Sequence, residues 1–131
     1  VIIDTSALLA ILLDEPESIA LFTAISAAPE RLIVAPTLVE AGAVLYARKG
    51  PGGEVALDAL LQRLSIHVID MNATAAACAR AAFRRFGKGV GDPAVLNFGD
   101  CLVYGAAMAT GQPLLFKGAD FAQTDIAAVP Y

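Results

Sequence analysis

The feature of this chain that most restricts its fold is a rhythm in which short apolar runs alternate with longer segments whose apolar positions recur at helical spacing. Val1-Ile2-Ile3, Leu32-Ile33-Val34, Ile66 to Ile69 and Leu114-Leu115-Phe116 are the short runs. They read as strands, the first of them buried. Between them the spacing predicts helices over Ser6–Leu13, Glu17–Ala27, about Thr37–Arg48, Glu54–Leu64, a segment capped by Asn72 and running to Phe86, and Phe98–Thr110. Gly50-Pro51-Gly52-Gly53 reads as a break, and Gly87 to Pro93 as a loop. Strands joined by helices lie parallel with right-handed crossovers. The expected fold is therefore α/β, a three-layer α/β/α sandwich with a central parallel sheet of four or five strands. Ile126 to Val129 is the candidate fifth.

Composition narrows the function classes. Hydrophobic residues make up 57% and charged residues 17%, which excludes a disordered segment. A length of 131 residues suggests one domain over 1–131. Nine Lys and Arg against thirteen Asp and Glu leave a net charge of −4, so nucleic acid is not gripped by bulk positive charge. The lone His67 and the two cysteines, Cys78 and Cys101, form neither a zinc cluster nor a disulfide framework. All three read as structural, in a reducing, cytoplasmic setting. The longest uncharged stretch, Cys101 to Phe116, is broken by glycine and proline, and no membrane span is expected.

Ligands of such sheets bind beyond the carboxyl ends of the strands. The chain delivers four carboxylates there. Asp4 follows the first strand, Glu40 lies a turn or two after the second, and Asp120 follows the fourth. Asp100 starts the helix that descends into the fourth strand, so it too belongs at that edge. Each has a structural alternative. Thr37 to Glu40 is a capping-box pattern, Asn97 to Asp100 can serve similarly, and Asp4 and Asp120 can cap the segments after them. Caps explain the set poorly, because Asp4 and Glu40 sit in apolar sequence where an unpaired carboxylate is costly. Clustered like charges also raise one another's pKa unless something positive lies between them. Only Lys117 is close in sequence, to Asp120. All the donors are hard oxygens, which favours Mg2+, with Mn2+ able to substitute, and points to phosphoryl-transfer chemistry.

Four segments carry a more specific signal. Val1-Ile2-Ile3-Asp4-Thr5-Ser6-Ala7-Leu8, Ala35-Pro36-Thr37-Leu38-Val39-Glu40, Leu96-Asn97-Phe98-Gly99-Asp100-Cys101 and Leu114-Leu115-Phe116-Lys117-Gly118-Ala119-Asp120-Phe121 together resemble the signature segments of PIN domains. Their order and the chain length are similar to the VapC-type toxins of bacterial toxin–antitoxin pairs. The resemblance implies a PIN-like sandwich and a Mg2+-dependent endoribonuclease that leaves a 5′-phosphate and a 3′-hydroxyl. It implies Asp4 and Asp100 as principal metal ligands, Glu40 and Asp120 as the third and fourth acidic positions of the catalytic set, and Thr5 or Ser6 as a hydroxyl near the metal. It further implies a homodimer silenced by a cognate antitoxin. The chain departs from close relatives at Asp92, where they often carry His, and at its first residue, Val1 rather than Met.

Among the other residues, Arg80, Arg84, Arg85 and Lys88 cluster at a helix end, where they either answer the helix dipole or meet RNA. Arg84 and Arg85 are the candidates for positioning phosphate. Lys117 either contacts phosphate or pairs with Asp120, and Ser6 completes the candidate substrate-binding set. Leu8, Leu9, Leu12, Leu13, Ile19 and Phe22 are core or a partner surface. The alternative function is a receiver-like phosphoacceptor module with Asp70 as acceptor, Asp4 on the metal and Lys117 on phosphate. A catalytically silent interaction domain is a third reading.

Overall fold

A computed structural model describes residues 1–131. Four strands, β1 (Ile2–Ile3), β2 (Leu32–Val34), β3 (His67–Ile69) and β4 (Leu114–Leu115), form one parallel sheet in the order β3-β2-β1-β4. The helices are α1 (Thr5–Leu12), α2 (Ser18–Ala27), α3 (Ala35–Lys49), α4 (Pro51–Arg63), α5 (Ala73–Phe86) and α6 (Phe98–Thr110).

Side-chain alternation along the strands builds the three layers. Ile2 pairs with Leu32 and Leu114, and all three join the cluster that includes Ala79, Ala82, Val103 and Tyr104 of α5 and α6. Ile3, Ile33 and Leu115 point the other way, into the cluster built with Leu8, Leu21, Leu45 and Leu57 of α1 to α4. Successive residues of a strand face opposite sides, so two or three residues per strand suffice to separate two cores. β3 is the exception. As an edge strand its burial is slight, and His67, read from sequence as structural, is exposed.

The candidate fifth strand reduces to one parallel bridge, Leu114 with Ala128. Val129 N–H donates to Leu114 O at 2.9 Å and Leu114 N–H to Ala127 O at 2.8 Å, which covers the edge of β4. The glycine-rich break at residue 50 is also narrower than expected. Gly50, with φ of 66°, makes the turn, while Gly52 and Gly53 lie inside α4. A Cβ on Gly53 would meet Leu45 O at 2.5 Å, so the glycine serves the close crossing of α3 and α4. No helix is long and apolar enough to cross a membrane.

Candidate active site

Asp4 leaves β1 with extended backbone and caps α1, and Ser6 N–H donates to its Oδ2 at 2.9 Å. The Ser6 hydroxyl donates to the same oxygen at 2.6 Å, while Ser6 Oγ accepts from Lys117 N–H at 2.9 Å. Asp4 is 7% exposed. Across the sheet edge, Asp100 closes a capping box with Asn97. Asn97 N–H donates to Asp100 Oδ2, and Asp100 N–H to Asn97 Oδ1, both at 2.9 Å. The capping reading of both residues is thus correct, yet in each the capping bonds fall on Oδ2 and leave Oδ1 for another partner. Capping and ligation are compatible.

Glu40 is different. α3 begins at Ala35, immediately after β2, with Pro36 in its first turn and no side-chain cap. The capping-box alternative for Thr37 and Glu40 therefore falls. Thr37 is buried and its carbonyl accepts from Thr5 Oγ1 at 3.4 Å. Glu40 itself is exposed rather than enclosed in apolar surroundings, and its carboxylate lies against Gly99, where an added Cβ would meet Oε2 at 2.9 Å. The second helical residue of α6 is glycine, and this lets the two acidic segments approach.

The carboxyls of Asp4, Glu40 and Asp100 are all raised. Burial and the hydrogen bonds of Ser6 compete at Asp4, and burial prevails, so its carboxyl is raised above the ordinary range. Asp120 adds to that rise. Burial followed by Asp4 raises Glu40. Asp100 is pushed up to about 6 by burial, with Asp4, Asp120 and Glu40 contributing. No Lys or Arg relieves any of these three. A donor set of carboxylates alone fits a hard divalent cation. No three acidic, histidine or cysteine side chains are drawn together tightly enough to hold an ion by themselves. That is compatible with Mg2+, which is usually bound through one or two carboxylates with water completing its shell.

The basic residues are distributed otherwise than the sequence suggested. Lys117 does not pair with Asp120. Its ammonium contacts Glu15 and lies 3.0 Å from Glu17 Oε2, both in the turn between α1 and α2. Arg85 donates to Asp125 Oδ2 at 2.8 Å, and Asp125 also accepts from the Tyr104 hydroxyl at 2.5 Å. Arg80 and Arg84 form no ion pair and line a groove of about 580 Å³ between α5 and α6, with Phe83, Phe98 and Leu102.

The sequence profile of the PIN domain matches residues 1–127. The chain belongs to the PIN domain family. Within it the chain falls among the VapC proteins. VapC ribonuclease Mb0640 of Mycobacterium bovis is 46% identical over 128 residues, covering 98% of this chain and 97% of the relative. Ribonuclease VapC of Mycolicibacterium smegmatis is 45% identical over 128 residues, covering 98% of both chains. Among solved structures, Mycobacterium tuberculosis VapC20, described as a sarcin–ricin loop cleaving toxin, superimposes with a TM-score of 0.79 at 18% identity, covering 99% of this chain and 98% of that one. A chain of a toxin–antitoxin complex from Klebsiella pneumoniae gives 0.73 at 20% identity, covering 99% and 97%. These likenesses establish the PIN fold.

Asp70 of this PIN domain lies away from the carboxylates. It lines a depression with Ala106, Ala109 and Thr110, toward the C-terminal end of α6, whereas Asp100 is in its first turn. At 1.5 Å per residue the two ends are roughly 15 Å apart. A phosphoacceptor site combining Asp70, Asp4 and Lys117 is not assembled. Sequence reasoning also missed Glu15, Glu17, Tyr104 and Asp125. The Asp14-Glu15-Pro16-Glu17 turn was the one available signal, an acidic stretch with no basic neighbour in sequence.

Proposed function

We propose that this chain is a divalent-cation-dependent endoribonuclease toxin of a type II toxin–antitoxin system, a single PIN domain over residues 1–131. The observation that carries the reading is the convergence of Asp4, at the end of β1, with Asp100, in the first turn of α6, and Glu40, which lies against Gly99, at one sheet edge, where burial and neighbouring carboxylates raise all three. Membership among VapC proteins whose relatives are named ribonucleases supports the reaction.

Asp4 and Asp100 would hold the ion, Mg2+ or Mn2+, and Glu40 and Asp120 would complete the acidic set. When bound, the ion lowers the pKa of water and stabilises the leaving oxygen of a phosphodiester. The side chains supply orientation. Ser6 fixes the Asp4 carboxylate, and the capping box fixes Asp100. Arg84, unpaired like Arg80, is available for a substrate phosphate, while Arg85 is shared with Asp125 and Lys117 with Glu15 and Glu17.

A cognate antitoxin, a homodimeric state and a cytoplasmic setting complete the proposal. Two structural neighbours bear on the partner: the Klebsiella pneumoniae complex, and VapBC2 from Rickettsia felis bound to a DNA fragment from their promoter. Purified protein is expected to cut RNA with Mg2+ or Mn2+ and to stop on chelation. Asp4→Asn and Asp100→Asn are each expected to lose cutting while circular dichroism shows an unchanged fold. Cutting retained in both folded variants ends the proposal.

A further inference from the structure

We propose that Lys117 is a positioning residue for the acidic centre, anchored by Glu15 and Glu17 and acting on Asp4 through Ser6. The inference rests on the ribonuclease reading above and assigns a task to a residue that the sequence suggested for phosphate.

The direction of the hydrogen bonds is fixed by chemistry. A backbone amide can only donate, so Lys117 N–H occupies a lone pair of Ser6 Oγ. The single hydroxyl proton of Ser6 is then aimed at Asp4 Oδ2. Asp4 is thereby held from two sides by the same stretch of chain, since its own N–H donates to Leu115 O at 2.9 Å. The place of the Lys117 amide orients the Ser6 hydroxyl, which shares Asp4 Oδ2 with the Ser6 N–H.

Lys117 in turn bridges both ends of α1. Its N–H meets Ser6 in the first turn, and its ammonium meets Glu15 and Glu17 in the turn after the helix. Beyond Lys117 the chain turns at Gly118, with φ of 103°, and reaches Asp120 two residues later. The ion pairs therefore moor the segment that orients one acidic residue and carries another. The three side chains are 30%, 32% and 38% exposed, a setting in which an ion pair adds little to stability. A geometric role accounts for two carboxylates converging on one ammonium better than a stabilising role does. An ammonium so engaged is also poorly placed to take a phosphate.

Groups that orient a ligating carboxylate typically change metal affinity by roughly 10- to 100-fold when removed. Calorimetry with Mn2+ alone on the folded full chain, paired with RNA cutting across a Mn2+ series, tests the inference. K117M and the double variant E15Q/E17Q are each expected to weaken Mn2+ binding by roughly 10- to 100-fold. Both should recover cutting at saturating Mn2+, and K117R should remain near the parent. S6A is expected to show a similar loss, and adding K117M to S6A should cost little more, because Lys117 reaches Asp4 only through the Ser6 hydroxyl. Unchanged Mn2+ affinity in folded K117M, or losses that add fully in the S6A/K117M pair, overturn the inference. A raised KM for RNA at unchanged Mn2+ affinity overturns it in favour of phosphate contact. If the parent chain neither binds Mn2+ nor cuts RNA, the ribonuclease reading falls and this inference with it.

Discussion

At the scale of single residues, the acidic centre works against the stability of the metal-free fold. The Asp100 carboxyl titrates at about 6 when folded, against an ordinary 3.8. A carboxyl raised on folding favours the native state while protonated, and that contribution is lost as pH rises through the folded value. Two pKa units correspond to about 3 kcal/mol, and solvent screening of a half-buried group leaves roughly 1–2 kcal/mol. Asp100→Asn should therefore melt higher than the parent by about 3–8 °C at pH 7.5 without metal, although it loses cutting. The gap should narrow at pH 5, where the parent carboxyl is mostly protonated. Scanning calorimetry in chelator at the two pH values measures both effects. Gly99→Ala should do the reverse of a stability mutation. Its Cβ would meet the free end of Glu40 at 2.9 Å, and that side chain can swing away. Melting should change little while cutting drops, which a melt and an RNA assay on one sample decide. Asp4 and Asp100 were legible in sequence because each stands where a strand or helix meets the sheet edge. Lys117 was not, since its partners lie 102 and 100 positions away and no local pattern reports them.

At the scale of elements, the sequence carried nearly every boundary that matters to the site. Asn72 caps α5 as expected, accepting from Ala75 N–H at 2.9 Å, and α6 spans Phe98–Thr110 as its spacing predicted. What spacing could not report is how closely two helices cross. Within α6, Gly105 lies against α5, where an added Cβ would meet Ala75 O at 2.4 Å and Ala79 N at 2.8 Å. Both obstacles are backbone, so neither can swing aside. Gly105→Ala should push α5 off α6 and cost roughly 1–3 kcal/mol, as overpacking does. Urea unfolding is expected to show a lower midpoint at unchanged slope. The same blindness explains the misreading near residue 50. Glycines that permit a close approach look, in sequence, like glycines that break a helix. The third strand was legible as a strand, but a short run does not say whether it lies at the centre or the edge of its sheet, and β3 lies at the edge.

For the whole molecule, the proposed reaction raises an electrostatic question: an acidic chain, net −4, must receive a polyanion at its most acidic edge. The fold answers by dividing its cations into engaged and free. Lys117 and Arg85 are tied to carboxylates, whereas Arg80 and Arg84 stand unpaired along α5, beside a groove whose other wall includes Phe98, two residues from Asp100. The sequence showed Arg84 and Arg85 as equals, because adjacency in a chain does not reveal that Asp125 occupies one of them. Binding to single-stranded RNA should separate them. Removing one cation from a phosphate reduces the slope of log K against log salt by about 0.7. In an Asp4→Asn background, which allows binding without cutting, Arg84→Ala should weaken RNA binding and flatten that slope by about this amount. Arg80→Ala should do the same, and the pair together should lose about twice as much. Arg85→Ala should leave the slope nearly unchanged, since its charge is already answered by Asp125. Fluorescence anisotropy across a salt series measures all four variants. Equal slopes for Arg84→Ala and Arg85→Ala would mean that the Asp125 pair opens when RNA arrives, and that the division of cations seen in the free chain does not persist in the complex.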